Sequence, residues 1–192
     1  MSYRPICDTW LLARSKTKYY GAYPAGFLGR ARDLLGVGLE DSVLHVCGGK
    51  VRDYPYRGLG VNDRTLDLDP ACNPDFLQDC MDPLPKNEPD WFPNEGDRQY
   101  WLEKCGGWGA VLIDRPYTAE DADHYVPGAT KLPNINLLLK NSLGVVRPGG
   151  RVGVLDYFIP RPPKTARFIA CVGVIVGFGN RGRFYCVFER ND

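Results

Sequence analysis

Residues 109–117 read GAVLIDRPY. Positions 110–113 form a short apolar run with β-branched residues, the pattern of a buried strand. The run stops at Asp114, and Arg115, Pro116 and Tyr117 come next. An acid, a rigid proline corner and an aromatic at the carboxyl end of a strand lie on the edge where open α/β sheets bind ligands. The residues before this stretch are therefore expected to make a place for a cofactor, and those after it to complete the sheet.

Toward the N-terminus, VLHV at 43–46 is a second short strand, succeeded at once by Cys47, Gly48, Gly49 and Lys50. Glycines placed there let the backbone come close to a ligand and turn its amides toward it. A tight strand-ending turn with no ligand has the same composition. The next strand adds weight to the first reading. It spans residues 64–68 and ends in Asp67, Leu68, Asp69 and Pro70. An acid about 20 residues beyond a glycine turn is placed to hold the hydroxyls of an adenosine ribose. Asp67 is the better candidate, and Asp69–Pro70 reads as the start of the next turn. A short third strand at 76–78 ends in Asp79, Cys80, Met81 and Asp82, beside where an adenine would lie. Further upstream, YGAYPAGF at 20–27 is rich in turn residues. Phe27, Ala31, Leu34 and Leu35 have helical spacing, with Gly36 or Gly38 as the cap. Residues 7–20 give no clear element.

Residues 86–107 form a polar insertion containing Pro89, Trp91, Phe92 and Pro93, and 97–105 could be a short helix. A connection of this length suits a lid or a substrate wall. Beyond the opening stretch, Thr118 is expected to cap a helix from Ala119 whose first turns carry Glu120, Asp121 and Asp123. Ile135, Leu138, Leu139 and Leu143 share one face of a second helix within 133–146. Arg147, Pro148, Gly149 and Gly150 close it with a sharp turn. Residues 151–157, 166–176 and 184–189 then read as strands, the last two joined through GFGNRGR as a hairpin. Strand and helix alternate five times before that hairpin. The fold class is α/β, a mostly parallel seven-stranded sheet with a C-terminal antiparallel hairpin and helices on both faces.

The chain has 192 residues, 44% hydrophobic and 24% charged, enough for one domain, 1–192, with a sizeable core. Its net charge of +1 provides no global field toward nucleic acid or membrane. Locally the balance differs. Within the basic segment and first helix, 1–40, Arg4, Arg14, Lys16, Lys18, Arg30 and Arg32 face a single acid, Asp8, before Asp33. Such an excess suits either a phosphate backbone or a solvated face. Seven cysteines, an odd number with no CxxC pair, argue against a zinc site or disulfide framework and for a reducing cytoplasm. No apolar run is long enough for a membrane helix.

Taken together, these residues resemble class I S-adenosylmethionine-dependent methyltransferases from about Tyr20 onward, whose sheet is Rossmann-like. VLHVCGG is similar to the family's glycine motif, LDLDP to its ribose-acid motif, QDCMDPLP to its adenine-side motif, and VVRPGGRVGVLDY to the turn entering its fifth strand. DRPY resembles the tetrad of amino-methyltransferases, in which Asp, Asn or Ser precedes Pro-Pro-Tyr, and YPAGF the segment preceding the glycine motif. Small bacterial and phage DNA-methylase-like proteins are the nearest in kind. The resemblance implies S-adenosyl-L-methionine held by Tyr23, Pro24, His45, Val46, Cys47, Gly48, Gly49, Asp67, Leu68, Asp79, Cys80, Met81 and Asp114. It implies catalysis by Asp114, Arg115, Pro116 and Tyr117. There the Asp114 side chain and the Arg115 carbonyl would accept the protons of an exocyclic amine, and Tyr117 would stack on the base. The chain departs from the family at His45, where an acid is usual, and at Arg115, which replaces the tetrad's first proline.

The acceptor this implies is a nucleic-acid base, DNA in the first place, with a protein partner supplying target recognition and no membrane. Two other readings stay open. One is methyl transfer to a small molecule or other amine. The other is cofactor binding without transfer, which His45, Arg115 and the thin glycine motif would fit.

Overall fold

The structure is a computed structural model and describes residues 4–19, 21–54, 58–88, 95–96, 100, 106–125, 132–177 and 182–191. Among these, eight strands form one sheet: β1 (Ile6–Leu12), β2 (Val43–Val46), β3 (Arg64–Asp67), β4 (Phe76–Leu77), β5 (Trp108–Ile113), β6 (Val146–Asp156), β7 (Ala166–Val176) and β8 (Arg183–Arg190). Their order across the sheet is β1-β7-β8-β6-β5-β2-β3-β4. The run β6-β5-β2-β3-β4 is parallel throughout, and β8 is antiparallel to both β6 and β7. The seven expected strands and the closing hairpin are all present.

The eighth strand comes from residues 7–20, where the sequence gives no clear element. β1 pairs parallel with β7 along seven residues, Ile6 opposite Ala170 through Leu12 opposite Val176. Only Trp10 and Leu12 are buried, while the apolar Ile6 and Leu11 are 50% and 78% exposed, so only the second half of the strand alternates in burial. That half is too little for periodicity alone to reveal it.

Alternation along the central strands divides the core in two. Val43, Ala110 and Leu112 face one side with Trp10, Phe27, Leu35 and Tyr185. Leu44, Val46, Val111 and Ile113 face the other with Leu138, Leu139 and Leu143. Helix α1 (Phe27–Leu35) covers the first face. Helix α2 (Ala119–Tyr125) comes after β5, and α3 (Ile135–Leu143) covers the second face, so helices flank both sides. Helix α1 ends at Gly36, whose positive φ of 69° lets its amide bond the Arg32 and Asp33 carbonyls. Helix α2 begins at a reciprocal cap: the Asp121 amide donates to Thr118 Oγ1 at 3.1 Å and the Thr118 amide to Asp121 Oδ2 at 3.2 Å. Asn134 caps α3 through Oδ1, which accepts from the Asn136 and Leu137 amides.

The turn expected at 147–150 lies inside β6. Between the pairs Trp108–Val146 and Ala110–Arg151, β5 advances two residues and β6 five. The RPGG segment therefore bulges from the ladder, with Gly149 at φ 68°. Most of the helix expected at 97–105, and turn residues 178–181 of the hairpin, lie outside the described residues.

Candidate active site

The carboxyl ends of β2, β3 and β5 open onto one cavity of about 980 Å³, within the size range of small-molecule and cofactor sites. Of the residues expected to hold a cofactor, Tyr23, Pro24, Cys47, Gly48, Gly49, Asp67, Leu68, Asp79, Cys80 and Asp114 line it. Arg115, Pro116 and Tyr117 line it too. His45, Val46 and Met81 stand outside the lining.

His45 is buried, and its Nε2 lies 3.0 Å from Asp63 Oδ2. Asp63 in turn accepts from both Arg32 Nη1 (2.8 and 3.0 Å) and the Gly60 amide (2.8 Å). These bonds hold its carboxyl below the usual carboxylate range although burial pushes the other way. Residue 45 thus ties β2 to the loop before β3 rather than facing a ligand. Arg32 is held in the same network and its side chain is only 6% exposed, so it is withdrawn from any phosphate surface. Val46 contributes through its backbone: its carbonyl accepts the Asp114 amide at 3.2 Å, fixing the end of β5 beside β2.

The glycine turn is built on unusual backbone. Cys47 has φ 56° and Gly49 φ 52°, the left-handed region that a cysteine seldom enters. A Cβ on Gly48 would meet His45 Cβ at 3.1 Å and the His45 carbonyl at 3.2 Å, whereas one on Gly49 would meet nothing within 4 Å. Gly48 therefore packs the turn against the sheet, and Gly49 leaves space beside the cavity. Asp67 fastens the turn from β3: Oδ2 accepts the Gly49 amide at 2.9 Å and Oδ1 the Asp69 amide at 3.0 Å. Asp69 caps the 3₁₀ turn Pro70–Cys72 through the Ala71 amide, in line with its reading as a turn starter. Asp79 Oδ1 accepts the Met81 amide at 2.8 Å. The Cys47 thiol is hydrogen bonded to that of Cys80, which together with burial pushes it well above the ordinary thiol range. A carboxylate on β3, another beyond β4, an open glycine and adequate volume fit a nucleoside-bearing cofactor.

At the end of β5 the Tyr117 hydroxyl donates to Asp114 Oδ1 and accepts from Arg183 Nη1 at 3.0 Å. The Arg183 guanidinium also lies 5.8 Å from the Tyr117 ring centre, and the Tyr157 ring is 4.6 Å away. Burial pushes the Asp114 carboxyl up to about 6, against the pull of Arg183 and Tyr117, with Asp156 adding to the rise. Burial likewise raises the Tyr117 hydroxyl well above its ordinary value, so it stays a donor. Arg115 turns away from this group. Its Nε lies 2.9 Å from Asp156 Oδ2 at the end of β6, and its Nη1 donates to the Pro116 carbonyl at 3.1 Å. Both Arg115 and Asp156 are buried. Sequence reading places neither Arg183 nor Asp156 at the site. Arg183 opens the last strand beyond a glycine-rich turn, and no local signal assigns its side chain to a cavity 66 residues from Tyr117.

No protein-family model matches the chain, and no curated protein is similar to it. Solved structures are. TrmN from Thermus thermophilus matches with a TM-score of 0.55 and 16% identity over 88% of this chain. A Streptococcus mutans protein assigned as a SAM-dependent methyltransferase matches with 0.51 and 9% identity over 88%. A protein named yhhF from Escherichia coli, assigned as a methyltransferase, matches with 0.52 and 9% identity over 93%. The matches cover 49%, 50% and 91% of those chains, so this chain spans about half the length of the first two. At such identities the likeness concerns architecture, and the chain has the Rossmann-like fold of these methyltransferase structures.

Proposed function

We propose that the protein is an S-adenosylmethionine-dependent methyltransferase acting on an exocyclic amino group of a nucleic-acid base, with DNA the first acceptor to try. One observation carries this reading: Asp114, at the end of β5, lines the same cavity that Asp67 and Gly49 border, with its Oδ1 bonded to Tyr117. Gly49, Asp67 and Asp79 would hold the cofactor, which when bound supplies an already activated methyl group. An exocyclic amine is a poor nucleophile because its lone pair is delocalised into the ring. Asp114 and the Arg115 carbonyl would accept its two protons, favouring a tetrahedral nitrogen and stabilising positive charge as it develops. The buried pairing of Arg115 with Asp156 keeps the guanidinium away from that charge. Arg14 and Lys18 border the cavity and could meet a backbone phosphate.

A small amine acceptor is the second reading. Tyr117 favours it, because its ring already has Tyr157 and Arg183 against it, leaving less face for a base to stack on. Incubation with isotopically labelled cofactor and a panel of DNA, RNA and small amines tests both. Label in nucleosides supports the first, label only in small amines the second, and no transfer despite tight cofactor binding would overturn both in favour of a binding role.

A further inference from the structure

We propose that Arg183 is a positioning residue of this site: it turns the Tyr117 hydroxyl onto Asp114 Oδ1 and so leaves a single oxygen, Oδ2, to receive the acceptor. The inference rests on the reading of Asp114 as the acceptor-binding carboxylate.

A guanidinium has donors and no acceptor. With Arg183 Nη1 donating to the Tyr117 oxygen at 3.0 Å, the phenolic hydrogen cannot point back at Arg183. It points at Asp114, whose Oδ1 it bonds. Among the described residues no donor bonds Asp114 Oδ2. The ring is fixed from two further directions, by the guanidinium over it at 5.8 Å and by Tyr157 at 4.6 Å. A tyrosine three residues beyond the carboxylate is thereby held as a fixed donor by a strand from the far end of the chain.

The other groups facing Asp114 do not substitute for this arrangement. Asp156 repels it from the end of β6 and is itself held by Arg115. Tyr23 and Cys47 sense its charge, but burial pushes the Tyr23 hydroxyl, and the hydrogen bond with Cys80 together with burial the Cys47 thiol, well above the ordinary range, so neither adds charge. Arg183 is the cation that opposes the effect of burial on Asp114.

The test is the titration of the Asp114 carboxyl, read by carbon NMR in cofactor-free protein labelled at aspartate, its resonance identified with Asp114→Asn. Arg183→Met should raise the midpoint by about one unit. Tyr117→Phe should also raise it, Arg183→Lys should recover part of the loss, and Arg183→Met should raise it less in the Tyr117→Phe background than in the parent, because there only the direct attraction of the cation is lost. A midpoint unmoved by Arg183→Met, or a full-sized effect persisting in the Tyr117→Phe background, would overturn the proposal. Because no acceptor is present, the outcome is independent of whether the substrate is a base or a small amine. Where an acceptor is in hand, the acid limb of turnover should move with the midpoint, whereas a loss of thermal stability alone would leave the limb in place.

Discussion

Asp114 and Asp67 are both carboxylates at strand ends, yet their surroundings give them different work. Asp67 is committed to the Gly49 and Asp69 amides and so joins the glycine turn to β3. Replacing it with alanine frees the turn and removes charge-assisted bonds. Cofactor affinity measured by calorimetry should drop by about 1–3 kcal/mol, and an unchanged affinity would remove Asp67 from the site. Asp114 is pushed up to about 6 by burial. The ionised form accepts the amine's protons, so activity should be lost as pH falls through about 6 and stay level above it. A pH profile of single-turnover transfer checks the sign, since a limb rising toward acid would contradict a carboxylate acceptor. These two acids are legible from sequence because Asp114 ends an apolar run and Asp67 ends a strand about 20 residues beyond a glycine turn. A structural, hydrogen-bonding role for His45 is legible too, but its partner is not, because Asp63 comes from a loop that carries no periodic signal.

Among the elements, the turn after β5 shows how a departure from a motif can be absorbed. Arg115 stands where a proline would stiffen the corner, and it is anchored instead by Asp156 from the adjacent strand β6. The side chains are 6% and 0% exposed, so removing the cation leaves a buried, uncompensated charge. Arg115→Met should therefore destabilise the fold by about 3–5 kcal/mol in urea unfolding, and Asp156→Asn in the same chain should recover much of it. Equal stability of the single variant and the parent would show that the pair is not coupled. The same pair makes Arg115→Pro costly unless Asp156 is changed with it. Sequence periodicity finds β2, β5 and β7 because their apolar runs are long enough to stand out from their neighbours. It leaves β1 unresolved because an edge strand needs only Trp10 and Leu12 inside, and the exposed Leu11 between them breaks the apolar alternation.

For the molecule as a whole, a net charge of +1 means that any grip on nucleic acid must be local. Arg14, Lys16 and Lys18 lie exposed on the segment that borders the cavity, while Arg32 is locked inside the fold. Binding to DNA should therefore weaken with salt, with a slope of about −0.9 for each phosphate met, and Lys16→Ala with Lys18→Ala should flatten it. A salt-independent affinity would favour the small amine. The parallel sheet and its hairpin are readable from alternation and turn chemistry. The placing of Arg183 against Tyr117 is not, because it depends on a contact between chain segments that only the assembled sheet brings together. The central claim is that this cavity transfers a methyl group to a base amine through Asp114. Its most direct test is mass spectrometry of nucleosides from DNA after a single turnover with labelled cofactor, comparing the parent with Asp114→Ala at equal cofactor occupancy. The account predicts label on an exocyclic nitrogen of adenine or cytosine, falling by about 10²-fold or more in the variant. Unlabelled nucleosides with the parent, or equal labelling with both proteins, would contradict it.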